Sequence, residues 1–474
     1  MPRDPLLRRP HPGRAPSPER DRGDLPAAAR PAPGRTPGTD RKPGPAQPAD
    51  AAGVTESRSA GRCGVKIAVL SLGSRGDLEP NLAVAEELRT RGHHLVLTVN
   101  TAHLDRVSQA GFEACEIPVD LSGVLRQFMM SRNLVKFGRE VSRLEARAGA
   151  AIDEALITGC AGADAVVTSP MTTLRAQCVV ERNAQPLVLN LPYPLERSSA
   201  YHPSFLGDYS LPPLLRRPAH AVFEQVYRQA NRATIRRIRR RLGLPGTGLN
   251  SFARLRAQRT PQELLVSPVL FPKPPDWPDY CTIAGMPASS GERNPDPELD
   301  VWLSHGEPPV FFGFGSMSLQ DPAGLLELIG KVATRLGVRA LVGAGWSDLP
   351  LGDRGRTFVT RSIDYRRVLP QCAAAVHHGG SGTTHDVARA GIPAVVVSVG
   401  GDQPLWGRQV RDLGIGVTFP FRKLTGERLH DALATVLAPQ PRQRAKTAGL
   451  AVRRENGTLR LSDTVERVGS VCGS

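Results

Sequence analysis

The sequence is poor in cysteine and in aromatic residues, and it has no long hydrophobic run. Only 7 of its 474 residues are cysteine. They form no C-x-x-C pair, which argues against a disulfide scaffold and a zinc ribbon. No stretch approaches the roughly 18–20 uncharged apolar residues of a membrane-spanning helix. With 40% hydrophobic residues, we expect a protein of two or three domains with ordinary hydrophobic cores, located in the cytoplasm.

Charge is the strongest compositional bias. The formal net charge is +16, which could indicate nucleic acid or a membrane surface as a partner. The sequence has no recognisable nucleic-acid-binding motif, so nucleic acid is not expected as a partner. A general bias toward arginine accounts for part of the excess positive charge. One cluster, RATIRRIRRRL (232–242), is either a solvated helix face or a contact with anionic lipid or an acidic partner. Both interpretations stay open.

Residues 1–62 differ in composition from the rest of the chain. The first 50 residues hold 13 prolines with repeated arginine, and such a segment cannot bury enough apolar surface to offset its chain entropy. It also lacks the apolar core of a signal peptide. We therefore expect a disordered tail, which could also stem from an upstream start codon.

From residue 65 onward, short apolar runs alternate with helical patterns. KIAVLSLG (66–73) has the length and β-branched content of a buried strand, and PNLAVAEELRTRG (80–92) has helical spacing. The alternation stops near residue 193 and restarts near residue 260, at ELLVSPVL (263–270). The fold class is therefore predicted to be α/β, with two doubly wound Rossmann-like domains facing a cleft. The predicted boundaries are a tail at 1–62, a first domain at 63–245, a second domain at 246–440 and a helical tail at 441–474, which could pack back on the first domain.

Four loops that follow predicted strands carry polar residues. Asp77 follows the first strand in a glycine-rich turn, where its carboxylate could be a general base or could cap the next helix. HHGGSGTTH (377–385) combines small residues with a predicted helix start near Thr383, which is typical of an anion site. Asp402 and Gln403 follow the next strand and suit recognition of adjacent sugar hydroxyls, or helix capping. GFGS (313–316) is a weaker phosphate-binding signal.

Histidines are concentrated in the second of these loops. The spacing of His377, His378 and His385 matches no standard zinc pattern, so no metal is expected. A cationic or hydrogen-bonding histidine beside phosphate is the preferred interpretation.

Together, GSRGDLEP (73–80), HHGGSGTT (377–384) and GDQP (401–404) resemble the GT-B nucleotide-sugar glycosyltransferases. FFGFGSM (311–317) and FPKPPDWPDY (271–280) are most similar to bacterial members related to the sterol, macrolide and glycopeptide glucosyltransferases. The resemblance spans roughly residues 65–440. Its motifs are specific in combination, although each of them alone is not.

The resemblance implies an inverting transfer without metal or cofactor, in which a UDP-sugar is a co-substrate. It implies that Asp77 is the catalytic base, which at an ordinary pKa near 4 is weak toward an alcohol. It also implies that His378 contacts the diphosphate. The other implied donor-binding residues are Ser316, Gly380, Ser381, Gly382 and Thr383 on the phosphates, Asp402 and Gln403 on the sugar, and Ile363 beside the base.

The expected function is transfer of a hexose, most simply glucose from UDP-glucose, to a hydroxyl of a lipophilic acceptor such as a sterol or a polyketide-like compound. Two alternatives stay open: a dTDP-deoxysugar transferase of antibiotic biosynthesis, and a non-catalytic GT-B-like accessory protein. Residues 120–148 and 193–218 are expected to shape the acceptor pocket. Their large side chains either line it or belong to core and lid: Phe128, Met129, Met130, Phe137, Tyr193 and Tyr201.

Overall fold

The computed structural model describes most of the chain after residue 63. The described ranges are 64–119, 134–203, 211–246, 250–287, 296–314, 321–345, 349–361 and 363–471, without the side chains of 75 and 134–141. The predicted tail of residues 1–62 lies outside them. Among the helices in these ranges, none combines the length and the hydropathy needed to cross a bilayer.

The first sheet has seven parallel strands in the order β3-β2-β1-β4-β5-β6-β7. Every neighbouring pair in it is parallel. The strands are β1 Lys66–Ser71, β2 His94–Asn100, β3 Glu113–Ile117, β4 Ala165–Thr168, β5 Leu187–Leu191, β6 Gln262–Leu264 and β7 Cys281–Ile283.

The second sheet also has seven strands, in the order β10-β11-β9-β8-β12-β13-β14. All its pairs are parallel except β10 with β11. The strands are β8 Val310–Gly313, β9 Ala340–Gly343, β10 Gly352–Arg354, β11 Thr357–Thr360, β12 Ala374–His377, β13 Ala394–Ser398 and β14 Gly416–Pro420. The prediction of two doubly wound α/β domains is confirmed.

Helices connect the strands and cover both faces of each sheet. In the first part of the chain they are α1 Arg75–Thr90, α2 Leu104–Gln109, α3 Leu134–Gly159, α4 Thr173–Asn183, α5 Pro213–Ala230, α6 Arg232–Arg241 and α7 Ser251–Ala257. In the second part they are α8 Pro297–Ser304, α9 Pro322–Leu336, α10 Tyr365–Val368, α11 Ser381–Ala390, α12 Gln403–Asp412, α13 Gly426–Leu437, α14 Pro439–Val452 and α15 Gly457–Val471.

Strand β1 shows why the strands are hydrophobic along their whole length. Ile67 and Val69 pack in a core with α1 and α15, whereas Ala68 and Leu70 pack in the core on the opposite face of the sheet. Successive side chains of a strand point to opposite faces. A sheet covered on both faces therefore buries every residue of its central strands.

The first sheet extends beyond the predicted domain boundary at residue 245. Strands β6 and β7 pair with β5 and with each other, and Leu264, Cys281 and Ile283 pack in the first domain's core. The predicted strand at 263–270 therefore begins no second domain, and this boundary is corrected. A buried strand carries no local signal of which sheet it joins, because either core accepts the same apolar side chains.

The C-terminal segment divides between the two domains. Helix α14 packs on α11 in the second domain, whereas α15 packs on α1 and β5 in the first. Arg91 on α1 forms ion pairs with Asp463 at 2.7 Å and with Glu466 at 3.1 Å. The final helix thus completes one face of the first sheet, while the start of the predicted 441–474 tail belongs to the second domain.

The backbone at the start of α15 passes very close to the backbone that follows β7, and a glycine lies on each side of this contact. Gly285 follows β7 with φ of +96°, and Gly457 begins α15. A Cβ on Gly457 would lie 1.8 Å from the carbonyl oxygen of Gly285. Only glycine at 457 allows this approach.

We expect Gly457→Ala to lower the free energy of unfolding by about 1–3 kcal/mol, because the added methyl group overpacks a backbone contact. Chemical denaturation would measure the change. Gly330→Ala in α9 is the matched control, since a Cβ there meets nothing within 4 Å and alanine favours a helix. A Gly457→Ala protein as stable as the unsubstituted chain would contradict this packing.

Candidate functional site

Asp77 lies at the carboxyl-end edge of the first sheet. Helix α1 begins at Arg75 with Ser74 as its N-cap, five residues before the predicted start near Pro80. Asp77 is therefore the third helical residue and does not occupy the cap. Its side chain folds back toward the end of β1 and accepts the Gly73 N–H at 3.0 Å, next to the N-cap Ser74.

Three donors converge on one oxygen of the Asp77 carboxylate. Oδ2 accepts hydrogen bonds from Ser71 Oγ at 2.8 Å, the Gly73 N–H at 3.0 Å and Ser169 Oγ at 3.1 Å. Burial raises the pKa of Asp77, while these donors and His103 oppose the shift. The expectation of an ordinary pKa is therefore corrected, because the half-buried carboxyl loses hydration that the donors only partly replace.

Ser71 and Ser169 are site residues that the sequence prediction missed. Ser71 is the last residue of β1, and Ser169 directly follows β4, which pairs with β1 in parallel. Because neighbouring parallel strands end at the same edge of a sheet, a serine at the end of each strand could have indicated that both serines lie near Asp77. Sequence patterns alone miss this because the two strands are far apart in the chain.

The loop after β12 forms the turn that carries the predicted anion site. Helix α11 begins at Ser381 with Gly380 as its N-cap, two or three residues before the predicted start. The backbone N–H groups of Ser381, Gly382 and Thr383 occupy the first turn, where a helix offers them no internal partner. The Thr384 hydroxyl is used internally and donates to the Gly380 carbonyl at 2.8 Å.

Two glycines allow this turn to close. Gly379 has φ of +87°, and a Cβ on it would lie 2.6 Å from Val396 Cγ1. A Cβ on Gly380 would lie 2.5 Å from His378 Nε2. The imidazole of His378 therefore lies directly over Gly380, beside the start of α11.

All three histidines of this region are neutral at pH 7. Burial lowers the pKa of His378 to about 4, although a hydrogen bond to the Gly313 carbonyl opposes the shift. Burial likewise lowers the pKa of His377 to about 3 and that of His385 to about 4. A neutral His378 whose Nε2–H bonds the Gly313 carbonyl presents only an acceptor at Nδ1, so a hydrogen bond from this ring to a phosphate oxygen requires its protonated form.

Polar atoms near the turn lack partners in the described part of the chain. His378 Nδ1 and Ser381 Oγ are both buried and accept or donate no hydrogen bond within the described ranges. Buried polar groups in folded proteins are normally paired. Together with the N–H groups of the first turn of α11, the Ser381 hydroxyl can donate to an anion that the protein itself does not supply. His378 Nδ1 can donate to the same anion only when the ring is protonated, because Nε2 carries the proton that bonds the Gly313 carbonyl.

Asp402 ends the loop that follows β13, and Gln403 is the first residue of α12. Asp402 stands at the N-cap position of α12 without capping it, and its Oδ2 accepts the indole N–H of Trp406 at 2.7 Å. Burial raises the pKa of Asp402 to about 6. Gln403 Oε1 accepts the N–H groups of Val399 at 2.7 Å and Gly400 at 3.2 Å, which leaves only its Nε2 as a donor to a ligand.

Tyr193 links the two domains' acidic residues. Burial raises the pKa of Tyr193, and the negative charges of Asp402 and Asp77 raise it further. The carboxylate of each domain therefore acts on the same half-buried phenol. A second contact between the domains joins Arg408 on α12 to His202 at 2.9 Å.

Trp406 fixes α12 against the first domain. Its side chain is fully buried and belongs to the first domain's core. It packs on Phe271 at 6.4 Å and on His385 at 5.0 Å between ring centroids. The Trp406 indole therefore contacts the first domain, helix α11 and Asp402. The sequence did not predict this role for Trp406.

The remaining predicted site residues differ in their positions. Ile363 is partly buried against the second domain's core. Tyr201 packs edge-on against His220, Phe271 and Trp277 in the first domain's core, so of its two predicted positions the core is the observed one. Ser316, Phe128, Met129, Met130 and the side chain of Phe137 lie outside the described residues.

Two family models match the chain, one in each domain. Residues 67–201 match the glycosyltransferase family 28 N-terminal domain. Residues 347–457 match the C-terminal domain of erythromycin biosynthesis protein CIII-like proteins.

Curated relatives align over most of the chain. The O-mycaminosyltylonolide 6-deoxyallosyltransferase of Streptomyces fradiae is 33% identical over 83% of this chain and 95% of its own length. An uncharacterized glycosyltransferase of Mycobacterium tuberculosis is 31% identical over 81% of this chain and 93% of its own. The sterol 3-beta-glucosyltransferase of Candida albicans is 28% identical over 84% of this chain and 27% of its own.

Solved structures share the fold. The glycotransferase of kitacinnamycin superposes with a TM-score of 0.64 at 20% identity, covering 85% of this chain and 99% of that one. The calicheamicin glycosyltransferase CalG4 gives a TM-score of 0.62 at 16% identity, covering 86% and 99%.

We expect Gly380→Ala to weaken UDP binding roughly tenfold to a hundredfold, because displacing His378 removes a hydrogen bond to a charged group worth about 1.5–3 kcal/mol. Titration calorimetry with UDP would measure the dissociation constant. Gly330→Ala serves again as the control and should bind UDP normally. Unchanged affinity in Gly380→Ala would show that the ring over Gly380 has no part in the anion site.

Proposed function

Since this chain belongs to the glycosyltransferases of the GT-B fold, we propose that it catalyses an inverting, metal-independent transfer of a hexosyl group from UDP-glucose to a hydroxyl of a lipophilic acceptor. The supporting observation is the placement of the polar groups: Asp77 follows β1 of the first sheet, while the turn at 378–383 and Asp402 follow β12 and β13 of the second, so each set lies at the carboxyl-end edge of its sheet. The charges of Asp77 and Asp402 also both act on Tyr193.

Asp77 is the group that takes the acceptor proton. In the described part of the chain its hydrogen bonds all go to Oδ2, which leaves Oδ1 for the acceptor hydroxyl. As that proton moves to Oδ1, the acceptor oxygen bonds to the anomeric carbon from the side opposite the diphosphate. The bond from the anomeric carbon to the diphosphate oxygen breaks, and its electron pair leaves with UDP. The raised pKa of Asp77 brings the base closer to the working pH.

The turn at the start of α11 stabilises the leaving diphosphate. The free N–H groups of Ser381, Gly382 and Thr383 and the positive end of the helix dipole favour negative charge there. His378 donates from Nδ1 to a phosphate oxygen when the negative charge of the diphosphate favours the protonated ring. Such preorganised donors stabilise charge that develops in the transition state, typically by several kcal/mol.

Asp402 favours a donor sugar with a full set of ring hydroxyls over a deoxysugar. One of its oxygens accepts the Trp406 indole N–H, and the other can accept a sugar hydroxyl beside the Gln403 amide. The second candidate is transfer of a deoxysugar from a dTDP donor. It is favoured by the 33% identity to the Streptomyces fradiae enzyme, which is named as a deoxyallosyltransferase. Competing UDP-glucose, dTDP-glucose and dTDP-deoxysugar donors, with product masses measured, distinguishes the two.

We expect Asp77→Asn to lower turnover by about 10²–10⁴-fold, the usual contribution of a general base, while UDP binds with unchanged affinity. Turnover by product mass and UDP binding by calorimetry would be measured on the same preparation. Asp105→Asn, an exposed aspartate on α2, is the matched control. Normal turnover in Asp77→Asn, or loss of wild-type turnover on adding a chelator, would overturn the mechanism.

We expect affinity for UDP-glucose to fall as the pH is lowered through about 6, where Asp402 becomes protonated. The ionised carboxylate accepts charge-assisted hydrogen bonds from sugar hydroxyls, and the neutral acid binds them less strongly. Calorimetry between pH 5 and pH 8 would follow a loss of about tenfold, or about 1.4 kcal/mol. Asp402→Asn should bind weakly with no such dependence. An unchanged pH profile in that variant would remove Asp402 from the sugar site.

A further inference from the structure

Helices α5 and α6 are consecutive and are separated by Asn231. The Asn231 N–H donates to the Tyr227 carbonyl at 3.1 Å, and the Ile235 N–H donates to the Asn231 carbonyl at 3.0 Å. Asn231 has φ of −98° and ψ of 4°, and no backbone bond joins residues 232–234 to residues 228–230 in this described segment. The helical pattern is therefore interrupted there, and each helix has its own solvent-facing side.

The outer face of α5 is hydrophobic and exposed. The exposed fractions are 89% for Leu214, 54% for Leu215, 63% for Val222 and 62% for Val226, and Pro218 between them is also exposed. These residues recur at spacings of three to four along one side of the helix. Scattered exposed hydrophobic residues are ordinary on a protein surface, whereas a continuous apolar stripe marks an interaction site.

The arginine cluster of α6 divides into an inner and an outer set. On the inner side, Arg237 pairs with Asp153 at 2.7 Å and Arg239 pairs with Glu181 at 2.6 Å. These arginines are therefore committed to the fold of the first domain. They do not contribute free positive charge to a partner.

The outer set is exposed and unpaired. Arg232, Arg236 and Arg240 are exposed, and no described residue forms an ion pair with any of them. The buried residues of α5 are His220 and Glu224, and those of α6 are Thr234, Ile235, Ile238 and Arg239. The apolar stripe and the free arginines therefore lie on the solvent-facing sides of two consecutive helices. We call this surface the α5–α6 face: Leu214, Leu215, Pro218, Val222, Val226, Arg232, Arg236 and Arg240.

We propose that the α5–α6 face docks the protein on an anionic membrane surface. An anionic bilayer offers phosphates to the arginines and an acyl boundary to the apolar stripe. A second copy of this chain fits poorly, because a two-fold interface would set this face against itself, and the face carries three free cations and no acid. The charges on the face thus favour a lipid partner.

The test is co-sedimentation of the full chain with vesicles of phosphatidylcholine, with and without phosphatidylglycerol. We expect binding only when phosphatidylglycerol is present. Replacing the free arginines (R232Q/R236Q/R240Q) should lower the partition coefficient at least tenfold, as should replacing the apolar stripe (L214S/V222S/V226S). Raising the salt from about 0.1 to about 1 M should weaken binding of the unsubstituted chain, because the Debye length shrinks from about 10 to about 3 Å.

The matched control removes three exposed cations elsewhere (R442Q/K446Q/R454Q) and should leave vesicle binding unchanged. Melting temperature and UDP binding without vesicles report on folding and on the proposed function separately. A chain that binds neither vesicle, or face variants that bind like the control, would overturn the proposal. Binding of an acidic protein that the arginine variant loses, without vesicle binding, would do the same.

Discussion

Parallel strand pairing is the constraint on which the site depends. In a parallel sheet the carboxyl ends of neighbouring strands meet at one edge, so residues far apart in the chain become neighbours. The pairing of β1 with β4 brings Ser71 and Ser169 to Asp77. The pairing of β12 with β8 and β13 brings the glycine turn, Gly313 and Asp402 together. Without this register, Asp77 would lose its bond from Ser169 and His378 would lose its bond to Gly313.

Burial then decides what each titratable group can do. Loss of hydration disfavours the charged form, so it raises the pKa of a carboxyl group and lowers that of an imidazole. Asp77 and Asp402 become stronger bases than free aspartate, and His378 becomes a neutral hydrogen-bonding group. The same environment that makes the carboxylates useful toward hydroxyls removes positive charge from the histidine beside the anion site.

The two domains are coupled through one buried side chain. Trp406 packs in the first domain's core, while its indole N–H holds Asp402 in the second. Its contact with His385 extends the connection to α11. The position of Asp402 is therefore set by the packing of both domains, and the returning helix α15 further ties the C-terminus to the first sheet.

Sequence patterns determined the fold class, the turn at residues 378–383 and the acidic residues Asp77 and Asp402. Hydrophobic runs, glycines and strand ends are local, and each leaves its own signal along the chain. Tertiary structure alone decided that β6 and β7 join the first sheet, that Ser71 and Ser169 hold Asp77, that Tyr201 is a core residue, and that three arginines of α6 remain free. These outcomes depend on which residues, distant in sequence, become neighbours and on how much hydration they lose. A short sequence segment determines neither of these.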